Sequence, residues 1–198
     1  MARARPYHHG SLPDALLDAG ERSLEDFGVD QLSLRELARM VGVSHAAPRT
    51  HFPDRQALLE ALAERGFARL DTELQAAYDS SAATFDARLR ATMSAYVAFA
   101  SRSPGLLQLM FALKPRSRAA GLQTMAADAL SMVPRLIEEG TTTGVLASAD
   151  PRRRSLLLAA TIRGIVGLVT SDSIGPEALD ALISDATTTF IRGNAPTA

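Results

Sequence analysis

The side chains best equipped for chemistry lie between residues 33 and 55, a segment dense in hydrogen-bond donors. The segment carries four arginines against two acidic residues, Glu36 and Asp54. Guanidinium, imidazole and hydroxyl groups contact the phosphates and base edges of nucleic acids, so the segment predicts DNA binding. The predicted contact residues are Ser33, Arg35, Ser44, His45, Ala46, Arg49, Thr50, His51 and Arg55.

The sequence offers few residues for catalysis. It contains no cysteine, its only lysine is Lys114, and all four histidines lie at or before His51. A Ser-His-Asp arrangement within the C-terminal half is therefore excluded, and the common zinc-protease, phosphate-loop and dinucleotide-binding motifs do not occur. The adjacent His8 and His9 are poorly placed to share one ion. We predict that the protein is not an enzyme and binds no metal or cofactor.

Two short helices must position the donors, and a capping box begins the first. Ser33 is followed three residues later by Glu36, and apolar residues recur at helical spacing over about 34–41. Gly42 can then turn the chain out of the helix in a left-handed conformation at low cost.

The second helix is predicted from about residue 45, with Ser44 as its N-cap candidate. If Ser44 is the N-cap, Pro48 lies within the helix, where its missing N–H removes the first regular backbone bond. Alternatively, the helix becomes regular only near Pro48. Either arrangement predicts a short helix. A helix, a turn at a glycine and a second helix rich in donors are together typical of a helix-turn-helix motif, here over residues 33–52. The alternative is a plain helical hairpin.

Longer helices flank this motif. One is expected over about 12–27, with a capping interaction between Ser11 and Asp14 and with Leu16, Leu17, Leu24 and Phe27 on its buried side. Another begins after Asp54 and continues beyond residue 70.

The N-terminal segment resembles the DNA-binding domain of tetracycline-repressor-type (TetR) regulators over about residues 8–70. The matching stretch reads GSLPDALLDAGERSLEDFGVDQLSLRELARMVGVSHAAPRTHFPDRQALLEAL. The resemblance implies a three-helix DNA-binding domain over 1–70. Many relatives carry, at the position of Arg49, a tyrosine that touches the DNA backbone.

We expect different parts of this motif to meet different parts of the DNA. His45, Ala46 and Thr50 are predicted to face the groove. The side chains predicted to contact backbone phosphates are Arg49, His51 and Arg55, and Ser33 and Ser44 add hydroxyl or amide contacts.

A second stretch, YVAFASRSPGLLQLMF at residues 96–111, is similar to one C-terminal subtype of the family, the WHG-type ligand-binding domain. That subtype usually carries a histidine where this chain has Arg163, just before Gly164. The resemblance implies an effector-binding and dimerisation domain over 80–198. Arg163 either faces the effector or pairs with an acid such as Asp128 or Glu138. The predicted pocket residues are Tyr96, Phe99, Met110, Met125 and Arg163.

Composition favours an all-α protein. The chain has 198 residues, 46% of them hydrophobic but only 5% aromatic, with few alternating runs. We predict about nine helices, in a helix-turn-helix domain followed by a helical bundle. No signal-peptide core and no long uncharged apolar run occurs, which predicts a cytoplasmic protein without a membrane partner.

Net charge gives modest support to DNA binding. The formal charge of the chain is −1, and residues 1–69 hold nine arginines and ten acidic residues. The acids cluster over 14–30, away from the donor-rich segment. Arg3 and Arg5 belong to an N-terminal arm that either is a solvated tail or contacts phosphates.

The helix expected over about 151–169 is apolar on nearly all sides. Such a helix is buried all round, so we predict that it packs with the last helix, over about 177–192, against a second subunit. The alternative is that both helices form the centre of the monomer. The predicted interface residues are Leu157, Ile165, Leu168, Leu182 and Phe190.

These observations predict a homodimeric one-component transcriptional regulator that acts as a repressor. It would bind a palindromic double-stranded operator and be released by a small, mostly apolar effector. The alternative is a helical dimerisation or scaffold protein that binds no DNA; an all-α enzyme is a third, less supported class.

Overall fold

A computed structural model describes residues 11–113, 127–128 and 131–196. These residues form eight α-helices and two 3-10 helices, with no strand among them, which confirms the all-α prediction. The α-helices are α1 (Leu12–Phe27), α2 (Leu34–Val41), α3 (Arg55–Ser80), α4 (Phe85–Arg102), α5 (Pro104–Ala112), α6 (Met132–Thr142), α7 (Pro151–Thr170) and α8 (Pro176–Asn194). The 3-10 helices are η1 (Val29–Gln31) and η2 (Ala47–Thr50).

The described residues divide into two compact units. Residues 11–66 and 105–113 form the first, and residues 67–104, 127–128 and 131–196 form the second. Residues of α5 therefore belong to the first unit, although the predicted limits of 1–70 and 80–198 place them in the second domain. As a division of function, those limits stay a prediction.

Helix α1 begins and ends at the predicted residues, but its ends differ in detail. The Ser11 hydroxyl donates to the Asp14 carboxylate at 2.8 Å and does not accept a backbone N–H. Gly28 follows the helix with φ of 75°, a conformation that favours glycine. Phe27 was predicted to be buried and is 65% exposed, because no described element covers that side of the last turn.

A tightly packed apolar core positions α2 within the first unit. Leu16, Leu37 and Leu62 have no exposed surface. A Cβ on Gly20 would lie 3.2 Å from Leu62 methyl carbons and 3.7 Å from Leu37, so the absence of a side chain permits this close approach.

Helix α5 is held in the first unit by a carboxylate of α1. The Glu25 side chain accepts hydrogen bonds from the backbone N–H groups of Gly105 (2.9 Å) and Leu106 (3.1 Å), which are otherwise unpaired at a helix start. A Cβ on Gly66 would lie 2.6 Å from the Met110 sulfur, so α5 also packs directly on the backbone of α3.

The second unit is a helical bundle in which α4 packs on α6, α7 and α8. Thr84 caps α4, accepting from the Ala87 N–H at 3.3 Å. Asp150 caps α7, accepting from the Arg152 N–H at 3.0 Å, with Pro151 as the first helical residue. Among the described helices, none has the length and hydropathy that crossing a lipid bilayer requires.

Candidate nucleic-acid interface

The first half of the predicted motif forms as its caps predict. The Ser33 hydroxyl accepts from the Glu36 N–H at 3.2 Å. Gly42 follows α2 in the left-handed conformation (φ 80°, ψ 31°), and the N–H groups of Gly42 and Val43 both donate to the Ala38 carbonyl at 3.0 Å. The end of α2 is therefore closed by backbone bonds, which fix the direction of the following turn.

The second half is shorter than the predicted helix. Residues 45–46 form a turn, and only Ala47–Thr50 are helical, as a single 3-10 helix. The Ser44 carbonyl accepts from the Ala47 N–H at 3.0 Å, and Ser44 does not cap an α-helix. The physical reason lies in Pro48, which lacks the N–H that would make the α-helical bond to Ser44.

Buried side chains support an exposed donor-rich surface in this region. Pro48 and Phe52 are buried. Of the predicted contact residues, those exposed to solvent are Ser33, Arg35, Ser44, His45, Ala46, Arg49, Thr50, His51 and Arg55. The structure thus presents all of them on the surface of one unit.

Hydrogen bonds within the segment reduce the number of free cations. Arg39 and Glu36 form an exposed ion pair at 2.5 Å. The hydrogen bond from Arg39 lowers the pKa of Glu36, so the carboxylate remains charged beside this arginine. Arg35 and Arg49 make no ion pair with any residue that the structure describes.

Arg55 has an internal role that the sequence did not indicate. Its guanidinium donates to the Leu32 carbonyl at 2.9 Å and to the Val29 carbonyl at 2.5 Å. These bonds tie the start of α3 to the chain that leads from η1 into α2. A phosphate contact by Arg55 stays a prediction.

The predicted effector residues do not all fall in one unit. Tyr96 and Phe99 belong to the second unit, whereas Met110 is buried in the first, and Met125 lies outside the described residues. Phe99 lies 5.3 Å below the Arg69 guanidinium.

Burial raises the pKa of the half-buried Tyr96 phenol, and the positive charge of Arg163 acts in the opposite direction. The Arg163 side chain is itself exposed.

The predicted interface residues separate into exposed and buried sets. Leu157 and Leu168 are 52% and 42% exposed. Ile165 and Phe190 are buried within their own unit, and Leu182 is half-buried. Leu156, which the sequence analysis did not single out, is the most exposed of the leucines at 63%.

An all-α chain with a helix, a glycine turn and a donor-rich surface segment in its N-terminal unit is a protein of the helix-turn-helix regulator class. Residues 16–62 match the family described as bacterial regulatory proteins, tetR family, and residues 89–190 match the tetracyclin repressor-like C-terminal domain. The chain belongs to the tetR family. Members of this family bind DNA and small-molecule ligands and act as dimers, and they are regulators and not enzymes. The WHG-type subtype stays a prediction.

Individual proteins resemble this chain to different extents. A protein of unknown function from Rhodococcus sp. RHA1 is 40% identical, with a TM-score of 0.88 over 98% of this chain and 100% of that one. The nucleoid occlusion factor SlmA of Vibrio cholerae serotype O1 is 34% identical over 83 residues, which is 42% of each chain. The match thus spans less than half the length of this curated relative. The regulator PfmR of Thermus thermophilus shares the fold, with a TM-score of 0.71 over 89% and 97% of the chains, at 17% identity.

Proposed function

We propose that the protein is a dimeric one-component transcriptional repressor. Each subunit would bind one half of a palindromic operator through residues 33–55, and a small, mostly apolar effector would release the DNA. The observation that carries the proposal is the exposed donor surface of the first unit, in which Arg35 and Arg49 are free of ion pairs with described residues. Unpaired exposed guanidinium groups are well suited to phosphate contacts.

The roles of the donors follow from their places in the segment. His45, Ala46 and Thr50 contact base edges. The Thr50 hydroxyl donates to the Ala47 carbonyl at 2.7 Å, so its oxygen presents lone pairs to an incoming donor. The side chains that contact the backbone are Arg35, Arg49, His51, Ser33 and Ser44, and Arg55 adds to these contacts while it holds η1 and α2 in place.

Effector binding and dimerisation belong to the C-terminal part of the chain, over 80–198, whereas residues 1–70 bind DNA. There, in the second unit, Tyr96, Phe99 and Arg163 contact the effector; contacts from Met110, which belongs to the first unit, and from Met125, which lies outside the described residues, stay predictions. The phenol and guanidinium supply polar contacts at an otherwise apolar site. The protein acts in the cytoplasm, where operator DNA is available.

A fluorescence titration tests DNA binding directly. Labelled mixed-sequence duplex at low salt is titrated with the wild-type protein and with Arg22→Ala, a control that removes an exposed arginine of α1 outside the segment. We expect both proteins to bind, with affinity that falls steeply as salt rises. An absence of wild-type binding at low salt refutes the repressor and leaves a scaffold function.

Selection of genomic fragments tests the finer claims. We expect the protein to retain a palindromic promoter fragment from its own genome. A set of apolar compounds is then screened for release of that fragment. A retained fragment without two-fold symmetry contradicts the dimeric mode of binding.

A further inference from the structure

A groove between α4 and α8 lies within the second unit and has a volume of about 490 Å³, which is within the range of small-molecule sites. The described residues that line it include none of those assigned above to DNA, the effector or the second subunit. We call it the α4–α8 groove; the lining residues that carry the argument are Ala87, Arg90, Ala91, Ser94, Asp180 and Ile183.

The groove is open because α4 places small side chains along it. Ala87 and Ala91 are one helical turn apart and line the same wall. On the adjacent face of α4, the larger Leu89 and Met93 are buried, and so is Ile183, which lines the groove from α8. Side chains of the size of leucine at the two alanine positions would fill this space, so the alanines leave room for a ligand.

Two opposite charges line this one groove. Arg90 lies on α4 and Asp180 on α8, and both side chains are exposed. Neither forms an ion pair with the other or with any further residue that the structure describes. Either charge by itself would be an ordinary hydrated surface group. On two helices that line the same concave site, they offer an anion-binding and a cation-binding group to one bound molecule.

Ser94 adds an available hydroxyl to the α4 wall. Ser101, on the same helix, donates to the Val97 carbonyl one turn earlier at 2.9 Å, as helical serines often do. Ser94 is half-buried and lines the groove, and it makes no hydrogen bond to any described side chain or carbonyl. Its hydroxyl can therefore donate to a bound carboxylate or accept from a bound ammonium group.

The chemistry of these side chains selects a ligand with two charges. The forked guanidinium of Arg90 matches a carboxylate, and the Asp180 carboxylate can accept the N–H donors of an ammonium group. A molecule with a single charge would satisfy one of the two and leave the other uncompensated. The apolar side chains of the groove would contact the short carbon chain that joins the two charged groups.

We infer that the α4–α8 groove binds a small zwitterion, which is an amino acid or a similar compound with one carboxylate and one ammonium group. Arg90 binds the carboxylate, Asp180 binds the ammonium group, and Ser94 hydrogen-bonds to the ligand. This site goes beyond the proposed function, because it is separate from the residues proposed to contact the effector and takes a doubly charged compound in place of a mostly apolar one.

Isothermal titration calorimetry at low salt tests the site with glycine, β-alanine, γ-aminobutyrate and ε-aminocaproate. The series varies the distance between the two charges, and we expect at least one member to bind the wild-type protein with a Kd below about 1 mM. Analogues of the same length with a single charge, such as butyrate and butylamine for γ-aminobutyrate, are expected to bind at least about tenfold more weakly. The absence of binding by every member at this affinity overturns the proposal, and equal binding by a singly charged analogue overturns the assignment to a zwitterion.

Neutral substitutions locate the bound zwitterion. Arg90→Gln and Asp180→Asn should each weaken its binding about tenfold or more, because each removes one charged partner. Arg152→Gln and Glu177→Gln are matched controls, because they neutralise exposed charges of the same unit outside the groove and should leave the Kd unchanged. Binding that both groove variants leave unchanged lies elsewhere on the protein and overturns the proposal.

Filling the groove gives a test that is independent of charge. Ala91→Leu should abolish binding although Arg90 and Asp180 are kept, whereas Ala98→Leu, at an exposed position of the same helix outside the groove, should not. Full affinity in Ala91→Leu overturns the proposal. Circular dichroism checks that each variant is folded; if Ala91→Leu fails to fold, the charge variants, which change only exposed groups, decide the outcome. Because ligand binding is measured without DNA, a failure here leaves the proposed repressor function intact.

Discussion

A cluster around Tyr78 in the second unit offers the sharpest test of packing. The Glu139 carboxylate accepts from the Tyr78 hydroxyl at 2.7 Å and from the Arg88 guanidinium at 2.5 Å. Arg88 and Arg135 lie over the Tyr78 ring, at 5.0 and 4.3 Å from its centre. One carboxylate of α6 thus connects α3 with α4, and we predict that Glu139→Gln destabilises the folded protein.

The magnitude follows from the exposure of the two ionic partners. The side chain of Glu139 is 14% exposed and that of Arg88 is 29% exposed. A hydrogen bond to a charged group contributes about 1.5–3 kcal/mol. Glutamine keeps one acceptor for Tyr78 but leaves Arg88 without its counter-ion, and water replaces only part of that contact. We therefore expect a loss of about 2 kcal/mol in the free energy of unfolding.

Urea unfolding followed by circular dichroism measures this loss. Glu138→Gln is the matched control, because Glu138 is the exposed neighbour on the same helix, and its change should stay within about 0.5 kcal/mol. Equal unfolding free energies for the two variants would show that the Glu139 contacts contribute nothing net.

The ionisation of Tyr78 gives a second readout of the same cluster. The hydrogen bond to Glu139 is the main cause that raises the pKa of Tyr78, because ionisation loses that bond and leaves two anions in contact. The folded state therefore holds this proton more tightly than the unfolded state. The resulting stability is fully present below the pKa of tyrosine in the unfolded chain, about 10, and is lost as pH rises through the pKa of Tyr78 in the folded protein. Tyrosinate absorbance in a Tyr7→Phe, Tyr96→Phe background should show a lower Tyr78 pKa after Glu139→Gln; an unchanged pKa contradicts the assignment.

Three further substitutions test the proposed roles. Arg49→Ala should weaken binding to all DNA sequences similarly and reduce the salt slope by about one unit, and a change of preference at one base pair would instead assign Arg49 to base readout. Leu168→Asp should yield monomers with reduced operator affinity, because two half-sites are no longer linked; a dimer of unchanged strength by light scattering would remove Leu168 from the interface. Arg163→Gln should preserve dimer and DNA affinity but abolish effector-induced release, whereas loss of thermal stability together with DNA binding would show a structural ion pair.

Helix ends were the most predictable part of the fold because their determinants are local. Ser33 and Gly42 limit α2, and Asp150 begins α7, through bonds to residues within a few positions in the sequence. The same locality explains the 3-10 geometry of η2, since the missing N–H of Pro48 is visible in the sequence.

Tertiary partners were not predictable in this way. The bonds from Gly105 and Leu106 to Glu25 join residues about 80 positions apart, and no periodicity indicates them. The apolar pattern of α7 likewise did not indicate that Arg154 is buried while Leu156 and Leu157 are exposed. Hydrophobicity ranks the residues of a helix, but the neighbouring helices decide which face is covered.

The donor-rich segment shows why a charge count alone is a poor measure of DNA binding. The sequence places four arginines over residues 33–55, yet Arg39 is neutralised by Glu36 and Arg55 is bound to the carbonyls of Val29 and Leu32. Arg35 and Arg49 are the two that the structure leaves without an ion pair or backbone acceptor among described residues. A nearly neutral unit can therefore present a locally positive surface, because its remaining charges are fixed elsewhere by internal bonds. The proposed phosphate contacts therefore depend most on Arg35 and Arg49, and removing either arginine is expected to alter the salt dependence of DNA binding.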